Sequence, residues 1–225
     1  MNHPAELAVF EYLGKAIKGE TDMAEDIRKQ VASDVEAALE KQFGGKPRDE
    51  FRLRMSNIGR PTCQLWFEKN DPEDKTPLPP HFLINMIIGD IVEAVFKGLL
   101  RAAEVDFKDN DNVTLKLKDG TEVKGEYDMV LDGKVDDVKS ASPWSYKNKF
   151  NTLETLARSD SFGYVSQLVG YAEAAGVDVG GWWVVNKSNG EFKYVDASSV
   201  DKSAVMDSIE QTVGYINEDK PFERC

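Results

Sequence analysis

Cysteine is scarce in this 225-residue chain: only Cys63 and Cys225 are present. Two thiols exclude a disulfide-framed scaffold and a four-thiolate zinc or iron–sulfur site. They fit a reduced, cytosolic setting. Long apolar runs are missing too. The longest, Phe82 to Leu100, is broken by Asn85, Asp90, Glu93 and Lys97, and a membrane span needs about 20 apolar residues. The opening MNHPAELAVFEY has neither the basic start nor the long apolar core of a signal peptide. Positive charge is in deficit. With 28 Lys+Arg against 40 Asp+Glu the net charge is −12, which argues against nucleic-acid binding through bulk charge alone. A local basic channel, or a bound cation that inverts the local field, stays compatible with it.

What is present is ordinary globular chemistry, 41% hydrophobic and 30% charged, enough for one substantial core. Apolar residues recur at helical spacing over Glu6 to Lys18 and Met23 to Phe43. Thr21 or Asp22 is expected to cap the second helix, and Gly44-Gly45 to end it. Arg48, Arg52 and Arg54 form a small basic cluster, followed by an amphipathic stretch from Ile58 to Glu68. The Pro- and Asp-rich segment Asn70 to Pro80 reads as a loop, and His81 to Ala103 as a long helix. The texture then changes. Val113 to Lys118, Thr121 to Leu131 and Lys134 to Ala141 read as strands, joined by the hairpin turn signals Asp119-Gly120 and Asp132-Gly133. A helix is expected from Phe162 to Ala175, strands over Gly181 to Asn186 and Glu191 to Val195, and a last helix from Ser203 to Ile216. Helices on both sides of a strand block imply an α/β or α+β layered domain. Residues 1–50 read as a helical extension and 51–225 as the main domain.

The informative stretch is GEYDMVLDGKVDDVKSAS, Gly125 to Ser142. A two-residue turn at Asp132-Gly133 pairs Leu131 with Lys134. Continued along the arms, it sets Asp128 opposite Asp137 and Glu126 opposite Lys139. Alternation puts these four on one face and Tyr127, Met129, Leu131 and Val138 on the other. Val130, Val135 and Asp136 break the pattern. Like charges directly opposite destabilise a strand pair. A sequence tolerates this on a solvated acidic face, or uses it: two close carboxylates suit a hard cation such as Mg²⁺ or Mn²⁺. A lysine beside them is suited to hold a water or offset charge on a phosphate.

Asp128, eight intervening residues, then Asp137-Val138-Lys139 resembles the signature of the PD-(D/E)XK nuclease superfamily. The wider order is similar to its RecB-like, phage-type exonuclease branch. That branch carries a Gly-x-x-x-His helix before the strands. Gly89 to Glu93 stands there, with Glu93 in place of the histidine, and Asp90 is the other acidic residue on the segment. It also carries a Gln-x-x-x-Tyr helix after the strands, matched by Gln167 and Tyr171, whose spacing sets both on one helical face. The apolar GWWVVN strand fits as well. Arg54 to Cys63 resembles the segment before the ligand helix, with Cys63 packed and inert. The four-cysteine iron–sulfur subgroup is excluded. The resemblance spans roughly residues 52 to 196.

The resemblance implies a restriction-endonuclease-like core, a central mixed sheet flanked by helices, and phosphodiester hydrolysis with one or two Mg²⁺ (or Mn²⁺) ions. Glu93, Asp128, Asp137 and the Val138 carbonyl would be the metal ligands. Asp128, Asp137, Lys139 and Gln167 would form the catalytic set, with Lys139 orienting the attacking water. Tyr171 would touch the nucleic-acid backbone. Phosphate contacts dominate DNA affinity, so local cations are expected among Arg52, Arg54, Arg60, Lys147, Lys149 and Arg158, with Trp144 and Tyr146 available for stacking. Lys116, Lys118 and Lys124 read as hairpin surface. The expected partner is DNA with a free end, acted on in bacterial or phage-infected host cytosol, in recombination, repair or phage DNA processing. No membrane is involved, and a homo-oligomer or a recombination-protein partner stays open. A structure- or sequence-selective endonuclease on the same core, and a non-catalytic nucleic-acid-binding member, are the alternatives.

Overall fold

The computed structural model describes residues 3–45, 51–74 and 76–218. Arg48 and Cys225 fall outside these residues. The chain opens with two helices, α1 (Pro4–Ile17) and α2 (Glu25–Phe43). Then come α3 (Thr62–Asn70) and the long α4 (Pro80–Ala102). Strands β1 (Lys108–Lys116), β2 (Glu122–Leu131) and β3 (Lys134–Ala141) form a meander. A π-helical turn (Ser145–Lys149), α5 (Leu153–Ala157) and α6 (Tyr164–Ala175) lead to β4 (Asp178–Asn186). β5 (Phe192–Asp196) and α7 (Lys202–Asn217) complete the element order.

The five strands make one mixed sheet in the order β1-β2-β3-β4-β5. Only β3 and β4 run parallel, and the helical crossover between them is what a parallel pair requires. Both sheet faces are covered. On one, α6 and α7 contribute Leu168, Val169, Ile209 and Val213 to a core with Val135, Ala141, Trp182 and Val184. On the other, α1 and α4 contribute Val9, Phe96 and Leu100 to a core with Met129, Val138 and Trp183. Trp182 and Trp183 are adjacent and go to opposite cores, the alternation of a strand buried on both sides. The Val130 and Val135 that break the single-face pattern are thereby explained: the face that carries the acidic residues also packs on a core.

Local chemistry accounts for the boundaries. Pro80 starts α4 where its missing N–H is harmless. The β2–β3 turn has Asp132 at φ +50° and Gly133 at φ +75°, the left-handed pair of a tight two-residue hairpin. Neither Thr21 nor Asp22 caps α2: Ala24 precedes it without a side-chain cap bond, and Gly44 ends it as expected. The extension at the front is not detached. Ala5 and Val9 of α1 sit in the second core, and Gly98 on α4 admits Val31 of α2, whose methyl would lie 2.4 Å from a Cβ there.

Candidate functional site

The hairpin register runs as the turn dictates through Leu131–Lys134, Val130–Val135 and Met129–Asp136, and there the ladder stops. Instead of continuing the backbone pairing, the Asp128 carboxylate accepts the Val138 N–H at 2.8 Å. β3 also slips against β4 between Val135 and Asp137, a bulge at Asp136. The bulge lets two consecutive aspartates both be buried. Asp136 accepts from the Gly181 N–H (2.8 Å), the Trp183 indole (3.1 Å) and the Tyr194 hydroxyl (2.9 Å). Burial still pushes its pKa up to about 7. Asp137 faces Asp128 and Lys139 instead.

Lys139 straddles the Asp137 carboxylate, its ammonium 2.7 Å from Oδ1 and 2.6 Å from Oδ2. Only the Oδ1 contact is aligned as a hydrogen bond, so Oδ2 is buried without a hydrogen-bond partner. Glu126 does not meet Lys139. It pairs with Asn112 across β1 and accepts from Asn110 at 2.9 Å, because the strands part before reaching it.

Burial, then the charge of Asp137, raises the Asp128 pKa to about 7, against the pull of Lys139 and Lys97. Burial likewise raises Asp137, opposed by Lys139. Burial alone would lower the Lys139 ammonium, but Asp137 and Asp128 outweigh it and hold its pKa above the ordinary value. Glu93 reaches the same locus from α4. Its pKa is raised by burial and then by Asp128, and held back by Lys97. Asp90, one turn earlier, is committed elsewhere, to Gln42 (2.8 Å) and Lys41 (3.3 Å) of α2. Of the two acidic residues on that segment, Glu93 is therefore the one brought to Asp128 and Asp137.

Sequence reasoning passed over two residues here. Lys97, 3% exposed, ion-pairs with Glu93 at 2.8 Å and Asp109 at 3.2 Å. It stands one helical turn beyond Glu93, a spacing that marks such pairs. Tyr164 lies under Lys139, with the ammonium 5.3 Å from its ring centroid. Nothing in the local sequence signals that contact, which depends on how α6 sits on the sheet.

Tyr171 corrects an expectation. It is 4% exposed and part of the core, so its ring is not offered to a substrate. Burial raises its hydroxyl to about 12, eased by a hydrogen bond with Gln167. The pair lies close enough to the carboxylates for Asp137, Asp128 and Lys139 to act on Tyr171. Gly125 leaves room for the ring, since a Cβ there would lie 2.8 Å from Tyr171 Cε1.

The expected cations are dispersed. Arg52, Arg54, Lys147 and Arg158 are exposed, and Arg54 bridges to Lys124 beside the sheet. Arg60 pairs with Glu68 at 3.4 Å and acts on Tyr164, so it borders the cluster. Lys149 is buried against aromatic rings, and Trp144 is 67% exposed. Cys63 is buried at the start of α3 and disulfide-bonded, which corrects its reading as an inert thiol.

Among the described residues no group of three or more His, Cys, Asp or Glu is arranged to hold a metal ion together. Asp128 and Asp137 make a two-carboxylate core, with the third carboxylate, Glu93, turned to Lys97. That core fits a hard cation: both acids are buried with raised pKa values, and Asp137 Oδ2 is met only by the Lys139 ammonium, out of line for a hydrogen bond. Also among the described residues, no helix is long and apolar enough to cross a membrane.

No protein-family model matches the chain, and no curated protein matches it in sequence. The crystal structure of SSO0001 is similar to it over 86% of this chain and 88% of that one, at 13% identity and a TM-score of 0.45. A likeness at that score carries no inference about activity.

Proposed function

We propose that this chain is a divalent-metal-dependent DNA exonuclease, a RecB-like member of the PD-(D/E)XK superfamily, hydrolysing phosphodiester bonds from free ends. The observation that carries the reading is the buried cluster of Asp128, Asp137 and Lys139, with Glu93 acting on it from α4. A solvated acidic hairpin would not bury two like charges, because doing so is unfavourable without a counter-ion.

In this reading Asp128, Asp137, Glu93 and the Val138 carbonyl hold Mg²⁺ or Mn²⁺. An ion held there would supply polarisation of the scissile phosphate and a lowered pKa for water. Release of Glu93 from Lys97 would complete the carboxylate set. Lys139, displaced from Asp137, would orient the attacking water and offset charge on the phosphate. Buried Tyr171 and half-buried Gln167 serve as a support on α6 next to the carboxylates. Arg60, Arg52, Arg54 and Lys147 supply cations toward the DNA backbone.

The test is digestion of end-labelled linear DNA and covalently closed circles, with Mg²⁺ and with EDTA. Metal-dependent loss of linear DNA while circles survive is expected. Circles cut as fast as linear molecules would replace this reading with an endonuclease on the same core. No cleavage of either would remove the nuclease reading.

A further inference from the structure

The rim of the cluster carries a feature that the hydrolytic chemistry leaves unused. Tyr164, the first residue of α6, sits under Lys139. The ring of Phe162 stacks almost parallel on it, with centroids 5.5 Å apart and an interplanar angle of 14°. Phe162 is nonetheless 53% exposed, so about half of its surface stays open to water beside the Tyr164 stack. Lys149 lies 4.8 Å from the centroid of each of these two rings.

Lys149 is itself 8% exposed and forms no ion pair among the described residues. Burial lowers its pKa, and Asp160 is the acid that acts on it. Asp160 uses its Oδ2 to accept the Val165 N–H at 2.8 Å, and its Oδ1 is buried without a hydrogen-bond partner. The ammonium packs against the two rings and has no ion pair of its own among the described residues, so an incoming anion has no partner to displace from it.

The backbone between the rings is fixed. Gly163 has φ +76°, and a Cβ on it would lie 2.4 Å from the Gly59 Cα. That close approach holds α6 against the turn that presents Arg60. The stacked pair is thus preorganised, with little ordering left to be done on binding.

We propose that Phe162, backed by Tyr164 and flanked by Lys149, is a subsite for one nucleotide with an unpaired base. The base stacks on the open face of Phe162, and its phosphate takes Lys149. Every base offers a π-face, so the subsite is sequence-tolerant. Inside a duplex those faces are covered, so the ligand is single-stranded or frayed. The identification of the ligand as a DNA strand rests on the nuclease reading, with Lys139 marking the direction of the scissile phosphate.

The experiment is fluorescence anisotropy of a labelled single-stranded oligodeoxynucleotide in EDTA. It compares wild type, Phe162→Leu and Phe162→Trp, and uses a matched strand of abasic residues as the second probe. Phe162→Leu is expected to bind the normal strand about tenfold more weakly, with Phe162→Trp close to wild type. The abasic strand should bind all three alike. Equal binding of the normal strand by wild type and Phe162→Leu overturns the subsite. So does an equal loss on the abasic strand, and so does a wild type that binds no strand at all. The nuclease reading is tested apart from this. If binding follows Phe162 but Mn²⁺ brings no cleavage of linear DNA, hydrolysis falls and the subsite stands. If cleavage occurs and binding ignores Phe162, the reverse holds.

Discussion

Replacing Asp128 by asparagine should stabilise the metal-free protein at alkaline pH. Lys139 balances Asp137, which leaves Asp128 as the buried carboxyl without a counter-ion of its own. Its pKa stands at about 7 in the folded chain against an ordinary 3.8. Keeping it ionised above neutrality therefore costs about 4 kcal/mol. The amide of Asp128→Asn can still accept the Val138 N–H. Burying that amide takes back about 1–3 kcal/mol, so a net gain of about 2 kcal/mol is expected. The sign follows from linkage. The folded state holds this proton more tightly than the unfolded state, so wild-type stability falls as pH rises from about 4 to about 7 and is flat above. The variant lacks that component of the slope. Urea unfolding in EDTA at about pH 4.5 and about pH 8 measures both. The advantage of Asp128→Asn should appear at the higher pH and shrink at the lower. Equal pH slopes, or a variant less stable at about pH 8, would refute the reasoning. Added Mn²⁺ should reverse the ranking, stabilising wild type by about 2.7 kcal/mol at a hundred times its Kd and the variant far less.

Lys139→Ala should fold and keep its metal-induced stabilisation, yet lose about 10²–10⁴-fold in turnover on linear DNA. Near-normal cleavage would reduce Lys139 to a counter-ion for Asp137. Lys97→Met removes the buried ammonium that pairs with half-buried Glu93 and should cost about 2 kcal/mol, a fall of roughly 4–8 °C in Tm for a chain of this size. An unchanged Tm near neutral pH would mean that the Lys97 ion pairs are idle. Gly163→Ala forces a side chain into a left-handed backbone and against Gly59. A loss above about 2 kcal/mol in urea unfolding is expected, and a neutral result would show that the Gly59–Gly163 contact can open.

Most elements were legible because their signals are local. The Asp132-Gly133 turn fixes the first three cross-strand pairs of β2–β3, and the apolar period fixes α4. What stayed hidden depended on competition between local and distant groups. Asp128 takes the Val138 N–H that the ladder would have used, so Glu126 never meets Lys139. Asp136 looks misplaced on a strand read alone, and its three donors come from β4 and β5. The alternative of a solvated acidic hairpin face does not describe the strands, because helices dock on both sides of the sheet. Tyr171 reads as a polar-tipped helix residue, and only the space over Gly125 shows it to be core. The Gly-x-x-x-His spacing favours Glu93 over Asp90, and the engagement of Asp90 by α2 is a long-range fact that spacing does not carry.

The hairpin has a consequence for how relatives are to be sought. Asp128 and Asp137 stand beyond the last paired residues of two arms that meet at a tight turn. Their separation along the chain therefore measures arm length, and their proximity does not depend on it. Lengthening both arms equally would carry the turn outward and leave the carboxylates facing one another. A search that fixes the number of intervening residues would discard such a chain. One that folds the sequence about its Asp-Gly and compares positions equidistant from it would keep that chain.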